Sequence, residues 1–332
     1  MAETGFKLFN LRAPFGKRKL VLYFGFYWMW VLSKLAMSRP KVVHACDLDS
    51  AIPCYIYKIL FRKKLVFDVC DRYAMGYIPP RFKTLYSIVN SIEEMVGERS
   101  DTLVNVSEEL EETFKRRPKR LAIIMNCPEQ HKDNNNYKIN TNKNENENGG
   151  EDKEKKTLTL VYTGIVVRTR GLLEVGDAIR GLKGIKFVIA GRPVDTEVSD
   201  KLMQMPNVYY KGLLSHRDAL VLQSRSDVMV SLYDLSDPIN NYSMGNKIFE
   251  AMMFGMPVIT NVSADVINEA GSGIIVGYNN IDQIKEAIVS LRDNLELRDK
   301  LGNNGHRAFM RKYNWTNMEK ELYKIYDELI GK

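Results

Sequence analysis

The sequence is poor in the residues that build disulfide frameworks and metal centres. Its 332 residues include four cysteines, Cys46, Cys54, Cys70 and Cys127, at no metal-ligand spacing and with no C-x-x-C pair. So few unclustered thiols in a chain of this length point to a reducing compartment rather than a disulfide scaffold. The four histidines, His44, His131, His216 and His306, are equally scattered. The order of residues therefore displays neither a zinc site nor a Ser-His-Asp triad. Long apolar runs are also missing. The uncharged stretch Leu20–Ser33, inside "KRKLVLYFGFYWMWVLSK", has only 14 residues. As a helix it would be about 21 Å long at ~1.5 Å per residue, short of the ~30 Å hydrocarbon core. A secretory leader is a poor fit, because sixteen residues precede the basic cluster and the cleavage site is weak. Residues 17–34 are expected to form a core helix of a first domain. Tyr27, Trp28 and Trp30 beside Lys17, Arg18 and Lys19 would offer a lipid interface a partial contact.

The charge is unevenly distributed. Residues 1–130 hold 21 Lys and Arg against 14 Asp and Glu, while the remainder holds 27 of each. The whole surplus of +7 thus belongs to the N-terminal part. Basic surfaces attract phosphates of nucleic acid, lipid or substrate. No RNA- or DNA-binding signature accompanies this surplus, so nucleic acid is not the expected partner.

Hydrophobic pattern divides the chain. "HKDNNNYKINTNKNENENGGEDKEKK" (131–156) contains eight asparagines and almost nothing to bury, which predicts a flexible linker between domains 1–130 and 157–317. Before it, the short Val- and Leu-rich runs "KVVHAC", "KKLVFDVC" and "DTLVNVS" alternate with stretches of helical periodicity. After it the alternation resumes through "LTLVYTG", "KFVIAG", "NVYYKG", "DVMVSLY", "PVIT" and "GIIVG". Buried strands alternating with helices predict parallel sheets with right-handed crossovers, that is, two Rossmann-like doubly wound α/β domains with a cleft between them.

In such domains ligands bind beyond the C-terminal ends of the strands. The loop "YTGIVVRTRG" carries Gly164, Arg168 and Arg170. The polar loop "SLYDLSDPINNYSMGNK" runs into the helical stretch "NKIFEAMMFGM". Gly245 and Asn246 place backbone N–H groups at that helix start, Lys247 adds a cation, and such ends are phosphate sites. Arg168 and Arg170 would supply a second clamp from across the cleft, with geometry suited to a diphosphate. Glu250 is the one carboxylate in an otherwise apolar helix. A carboxylate accepts two hydroxyl hydrogen bonds, as a ribose diol presents them. For Glu250 alone the helix dipole, worth ~0.3–1 kcal/mol, would be the better explanation, but the Gly-Asn-Lys-x-x-Glu setting ahead of "GMPVI" puts the ribose reading first.

The ordered set "LVYTG…RG", "NVYYKGLL", "SDVMVSLY", "NKIFEAMMFGMPVIT", "GIIVGYNNIDQIKEAI" and "LRDKLGNNGHRAFMRKYNW" resembles glycosyltransferase family 4 of the GT-B fold. "KVVHACDLDSAIP" and "KKLVFDVCD" extend the resemblance more weakly. It implies retaining transfer of a sugar from a nucleotide-diphosphate sugar, UDP- or GDP-linked, with no cofactor and no required metal. The donor would lie on the C-terminal domain and a glycan or lipid-linked acceptor on the N-terminal one. Glu250 stands at the second Glu of the family's E-x7-E motif, Arg170 at its phosphate-binding cation, and Lys247 in its N-K-x-x-E variant. Three positions depart from the pattern. Tyr242 stands where the first Glu belongs, and Cys70 replaces an expected His, which leaves Asp71 as the acid for acceptor positioning. "MAETGFKLFNLRAP" corresponds to the second strand, so the first strand and its Gly-rich loop are expected to be missing. The C-terminal helix 318–332 is expected to pack back on the first domain. "DLD" (47–49) is read as a strand-end loop with Asp49 or Ser50 capping the next helix, not as a metal site. A nucleotide-sugar epimerase, a non-catalytic subunit awaiting a partner and a nucleic-acid binder remain as alternatives. The expected location is the cytoplasm, at the inner face of the cell membrane.

Overall fold

The computed structural model describes residues 7–11, 17–79, 81–130, 157–242 and 244–331. The predicted linker 131–156 lies outside them. The chain divides into two compact units, Met1–Ile124 with Glu321–Lys332, and Met125–Lys320. The division thus falls ahead of the Asn-rich segment. Residues 125–130 are tied to the second unit, where the Trp315 N–H donates to the Pro128 carbonyl at 3.0 Å.

Four strands form the sheet of the first unit: β1 (Val42–Cys46), β2 (Lys64–Val69), β3 (Thr102–Asn105) and β4 (Leu121–Ile123). All pair in parallel, in the order β1-β2-β3-β4. Their order follows the chain in one direction, so the described strands of this sheet contain no point where the winding reverses. β3 is buried throughout, whereas edge strand β1 alternates, with Val43 and Ala45 turned inward. Helix Asp47–Phe61 packs on the sheet through Leu48, Ala51, Cys54 and Tyr57. It begins at Asp47 with Cys46 in the cap position, so Asp49 and Ser50 lie inside its first turn rather than capping it. Just after β2, the fully buried Arg72 is held by Glu93, Asn90 and Thr113 and lies 3.8 Å from the Phe114 ring centroid.

Two expectations for the N-terminal region change. Helix Lys17–Ser38 is not a core helix: its residues 23–38 range from half-buried to exposed. It packs on helix Asp47–Phe61, and the Trp28 Nε1–H donates to the Asp49 carbonyl at 2.8 Å. None of the described helices is long and apolar enough to cross a membrane. Residues 7–11 form no strand, and the rest of the predicted second strand lies outside the described residues.

The second unit carries six parallel strands: β5 (Leu158–Thr163), β6 (Ile185–Ala190), β7 (Val208–Tyr210), β8 (Val228–Ser231), β9 (Val258–Thr260) and β10 (Gly273–Ile275). Their order is β10-β9-β8-β5-β6-β7. The chain winds outward from β5 to β7, then returns to the other side of β5 and winds outward again to β10. The loops after β5 and β8 therefore diverge at a topological switch point, the crevice where doubly wound sheets bind ligands. Leu160, Phe187, Ile189, Val228 and Val230 form the centre of this core against helix residues such as Leu172, Ile284 and Ile288. At the C-terminal ends the buried side chains turn polar, at Thr163, Ser231 and Thr260. Two of the strand-end loops press together there. A Cβ on Gly191 would stand 1.5 Å from the Gly164 carbonyl oxygen, so only glycine fits.

Candidate functional site

Helix Asn246–Met253 starts directly beside the end of β8. Gly245 occupies its cap position with no side-chain cap, and a Cβ there would come within 3.3 Å of Ser231 Oγ. The absent side chain lets the helix start lie close to the sheet edge. Ile248, Phe249, Ala251, Met252 and Met253 are buried, as the apolar pattern requires. Glu250 is buried with them at 8% exposure.

A charge in that setting needs partners. Lys247 Nζ donates to both carboxylate oxygens of Glu250, at 3.0 and 2.9 Å. Gln223 Nε2, on helix His216–Ser224, donates to Glu250 Oε2 at 2.6 Å and to Thr163 Oγ1 at 2.6 Å. A polar chain therefore links the end of β5 to the start of helix Asn246–Met253. Two atoms around it, Gln223 Oε1 and Ser231 Oγ, are buried without a hydrogen-bond partner. Buried polar atoms seldom stay unpaired unless a ligand or water completes them. Beside the chain opens a cavity of about 680 Å³, lined among others by His216, Arg217, Asn246, Glu250, Met253 and Trp315.

The loop after β5 supplies the arginines. Gly164 donates its N–H to the Ala190 carbonyl at 2.9 Å. Arg168–Arg170 form a short 3-10 turn that ends at Gly171, whose φ of 62° is left-handed. Arg170 lies 4.2 Å from the Tyr233 ring centroid and donates from Nη1 to Asn240 Oδ1 at 3.2 Å. Asn240 in turn donates to the Asp234 carbonyl at 2.7 Å. The Arg168 side chain is exposed, while its carbonyl accepts from the Tyr278 hydroxyl at 2.9 Å. Both arginines follow β5 and so belong to the same unit as Lys247. The clamp expected from across the cleft therefore lies on a neighbouring strand-end loop of the same sheet.

Asp71 follows β2 and belongs to the first unit, so the two carboxylates expected to take part in the chemistry are carried by different sheets. Desolvation raises the pKa of the Asp71 carboxyl above its ordinary value. Tyr242, at the position of the missing acid, lies in the 3-10 turn Pro238–Tyr242. The sequence reading did not find Thr163, Gln223, Tyr233 or Asn240. Gln223 did leave a signal: it stands three residues after the buried Leu220, a core spacing occupied by an amide.

Residues 143–308 match the profile of the family described as Glycosyl transferases group 1. An uncharacterized glycosyltransferase of Methanocaldococcus jannaschii is 29% identical over 175 residues, 51% of this chain and 48% of its own. The capsular polysaccharide biosynthesis glycosyltransferase CapM of Staphylococcus aureus is 24% identical over 185 residues, 51% of this chain and 46% of its own. The chain spans about half the length of these curated relatives. Among solved structures, Anabaena HepE in complex with UDP superposes with a TM-score of 0.69 at 11% identity, over 91% of this chain and 82% of that one. This likeness is one of fold, the two parallel-sheet domains of the GT-B class.

Proposed function

This chain belongs to the group 1 glycosyltransferases, and we propose that its second unit binds a nucleotide-diphosphate sugar, UDP- or GDP-linked, for transfer to a glycan or lipid-linked acceptor. The observation that carries this reading is the buried Glu250 carboxylate at the switch point, beside the uncapped start of its helix and a cavity of about 680 Å³. In it, Glu250 accepts the ribose hydroxyls while still bonded to Gln223. Lys247, Arg170, Arg168 and the N–H groups at Gly245–Asn246 face the diphosphate, and Gly164 lets the backbone approach the sugar. The cations stabilise the negative charge that develops as the nucleotide leaves. Transfer proceeds with retention and without a required metal, by front-face attack in which the departing phosphate takes the acceptor's proton. Asp71 of the first unit positions the acceptor hydroxyl.

The UDP bound to HepE supports the nucleotide part of this reading, and the capsular role in the name of CapM supports an envelope-glycan acceptor. Phe26, Met29, Ile59 and Leu60 are exposed on two packed helices of the basic first unit. They support peripheral contact with the inner face of a membrane, and hence a cytoplasmic location. Calorimetric titration with UDP, GDP and their sugars tests the donor site. Arg170→Ala and Glu250→Ala are expected to weaken the matching donor at least tenfold, about 1.4 kcal/mol. Unchanged affinity in both variants refutes the assignment. Conversion of the donor sugar with no acceptor present would favour the epimerase alternative.

A further inference from the structure

The first unit gathers a different set of donor atoms at the ends of its outer strands. His44 and Cys46 alternate on β1 and so share one face of the sheet. The β1–β2 register pairs Cys46 with Asp68, which brings the carboxylate to the same face. One ligand atom from each of the three residues lies within 4.8 Å of the others. His44 Nε2 faces Asp68 Oδ2 at 3.1 Å, and His44 Nδ1 meets the Tyr326 hydroxyl at 2.5 Å. Among the described residues Asp68 has no ion-pair partner but His44. Cys46 is a free thiol open to solvent, so the face can be reached.

We propose that His44 Nε2, Cys46 Sγ and Asp68 Oδ2 bind a divalent transition-metal ion of borderline softness, with zinc(II) the best match. Imidazole nitrogen, thiolate and carboxylate are the ligand types zinc takes, and three of them leave a fourth position for water. The Tyr326 hydroxyl on Nδ1 fixes the ring so that Nε2 points at the site, the orienting contact that metal-bound histidines have. Binding needs the Cys46 sulfur and His44 Nε2 free of protons, which pass to solvent as the metal takes their place. The site lies on β1 and β2 and needs no residue of the proposed donor site.

Cobalt(II) is a spectroscopic probe for such a site. Titration of the reduced, chelator-treated full chain with cobalt(II) is expected to give a thiolate-to-cobalt charge-transfer band that saturates at one equivalent and vanishes on adding zinc(II). Cys46→Ser removes the band, while Cys70→Ser retains it. Asp68→Asn weakens binding at least tenfold, and Tyr326→Phe weakens it about tenfold. Cys46 is exposed at an edge strand, so Cys46→Ser keeps the fold, which far-ultraviolet circular dichroism checks. A wild-type chain with no charge-transfer band overturns the proposal, as does a band that survives Cys46→Ser.

Discussion

Replacing Lys247 with Met separates the two roles Glu250 has in this structure, as a partner in an ion pair and as a proposed ligand contact. The substitution keeps most of the length of the side chain and removes two of the three hydrogen bonds to a carboxylate that is 8% exposed. Breaking a fully buried pair from one side costs about 3–5 kcal/mol, whereas an exposed pair contributes about 0–1 kcal/mol. The Lys247 side chain is 25% exposed and that of Glu250 10%, and the Gln223 amide remains in place. The cost therefore falls between the two limits, at about 2 kcal/mol. For a unit of the size of Met125–Lys320, that lowers Tm by about 4–8 °C. Glu250→Gln on its own is cheaper, because the ammonium it strands reaches solvent. The double variant is expected to lose less than the sum of the two, with a coupling of about 1–2 kcal/mol. Differential scanning calorimetry without nucleotide measures all three. If Lys247→Met melts within 1 °C (~0.3 kcal/mol) of the parent, the carboxylate does not depend on that ammonium and the pairing argument fails.

Two further outcomes follow from the first unit. Arg72→Met removes the buried guanidinium that pairs with the Glu93 carboxyl, so urea unfolding should show a loss of about 3–5 kcal/mol; a loss under ~1 kcal/mol contradicts that accounting. Burial works against the charged form of Asp101, but Lys58 Nζ at 2.6 Å and the Leu65 N–H at 2.9 Å outweigh it and hold its pKa below the ordinary value. Its contribution is then complete above the unfolded pKa of about 3.9 and is lost as pH falls through the lower folded value. Asp101→Asn should accordingly melt below the parent at pH 7, with the gap closing under about pH 4. A gap that stays constant with pH would show that the carboxylate charge is not what stabilises.

Much of the strand–helix alternation could be read from the sequence because parallel strands packed on both faces form largely apolar runs, such as "LVF" within β2 and "LTLVYT". Pairing order could not, since it depends on which crossovers return to which side of β5. The closeness of Lys247 and Glu250 was legible from their three-residue spacing on one helix. That the ammonium closes on both carboxylate oxygens was not, because spacing alone does not show which way either side chain turns. Gln223 and Thr163 lie 60 residues apart in sequence, and only the switch point brings them together. The His44–Cys46 alternation was visible in "HAC", but its meeting with Asp68 rests on a register between strands that the sequence does not contain. The half-exposed setting of helix Lys17–Ser38 was hidden for a simpler reason. Aromatic density resembles burial, yet this helix has no face buried among the described residues.

Helix Trp315–Ile330 starts in the second unit, while its residues from Glu321 onward belong to the first. There Tyr326 bonds His44, and Glu328 pairs with Arg120. No single cut in the gene can therefore yield both halves whole. A fragment that stops at Ile124 loses its closing turns, and one that begins at Met125 carries half a helix with nothing of its own to cover. Separate expression of the two halves would require grafting the last ten helical residues, Glu321–Ile330, about three turns, onto the N-terminal piece through a tether.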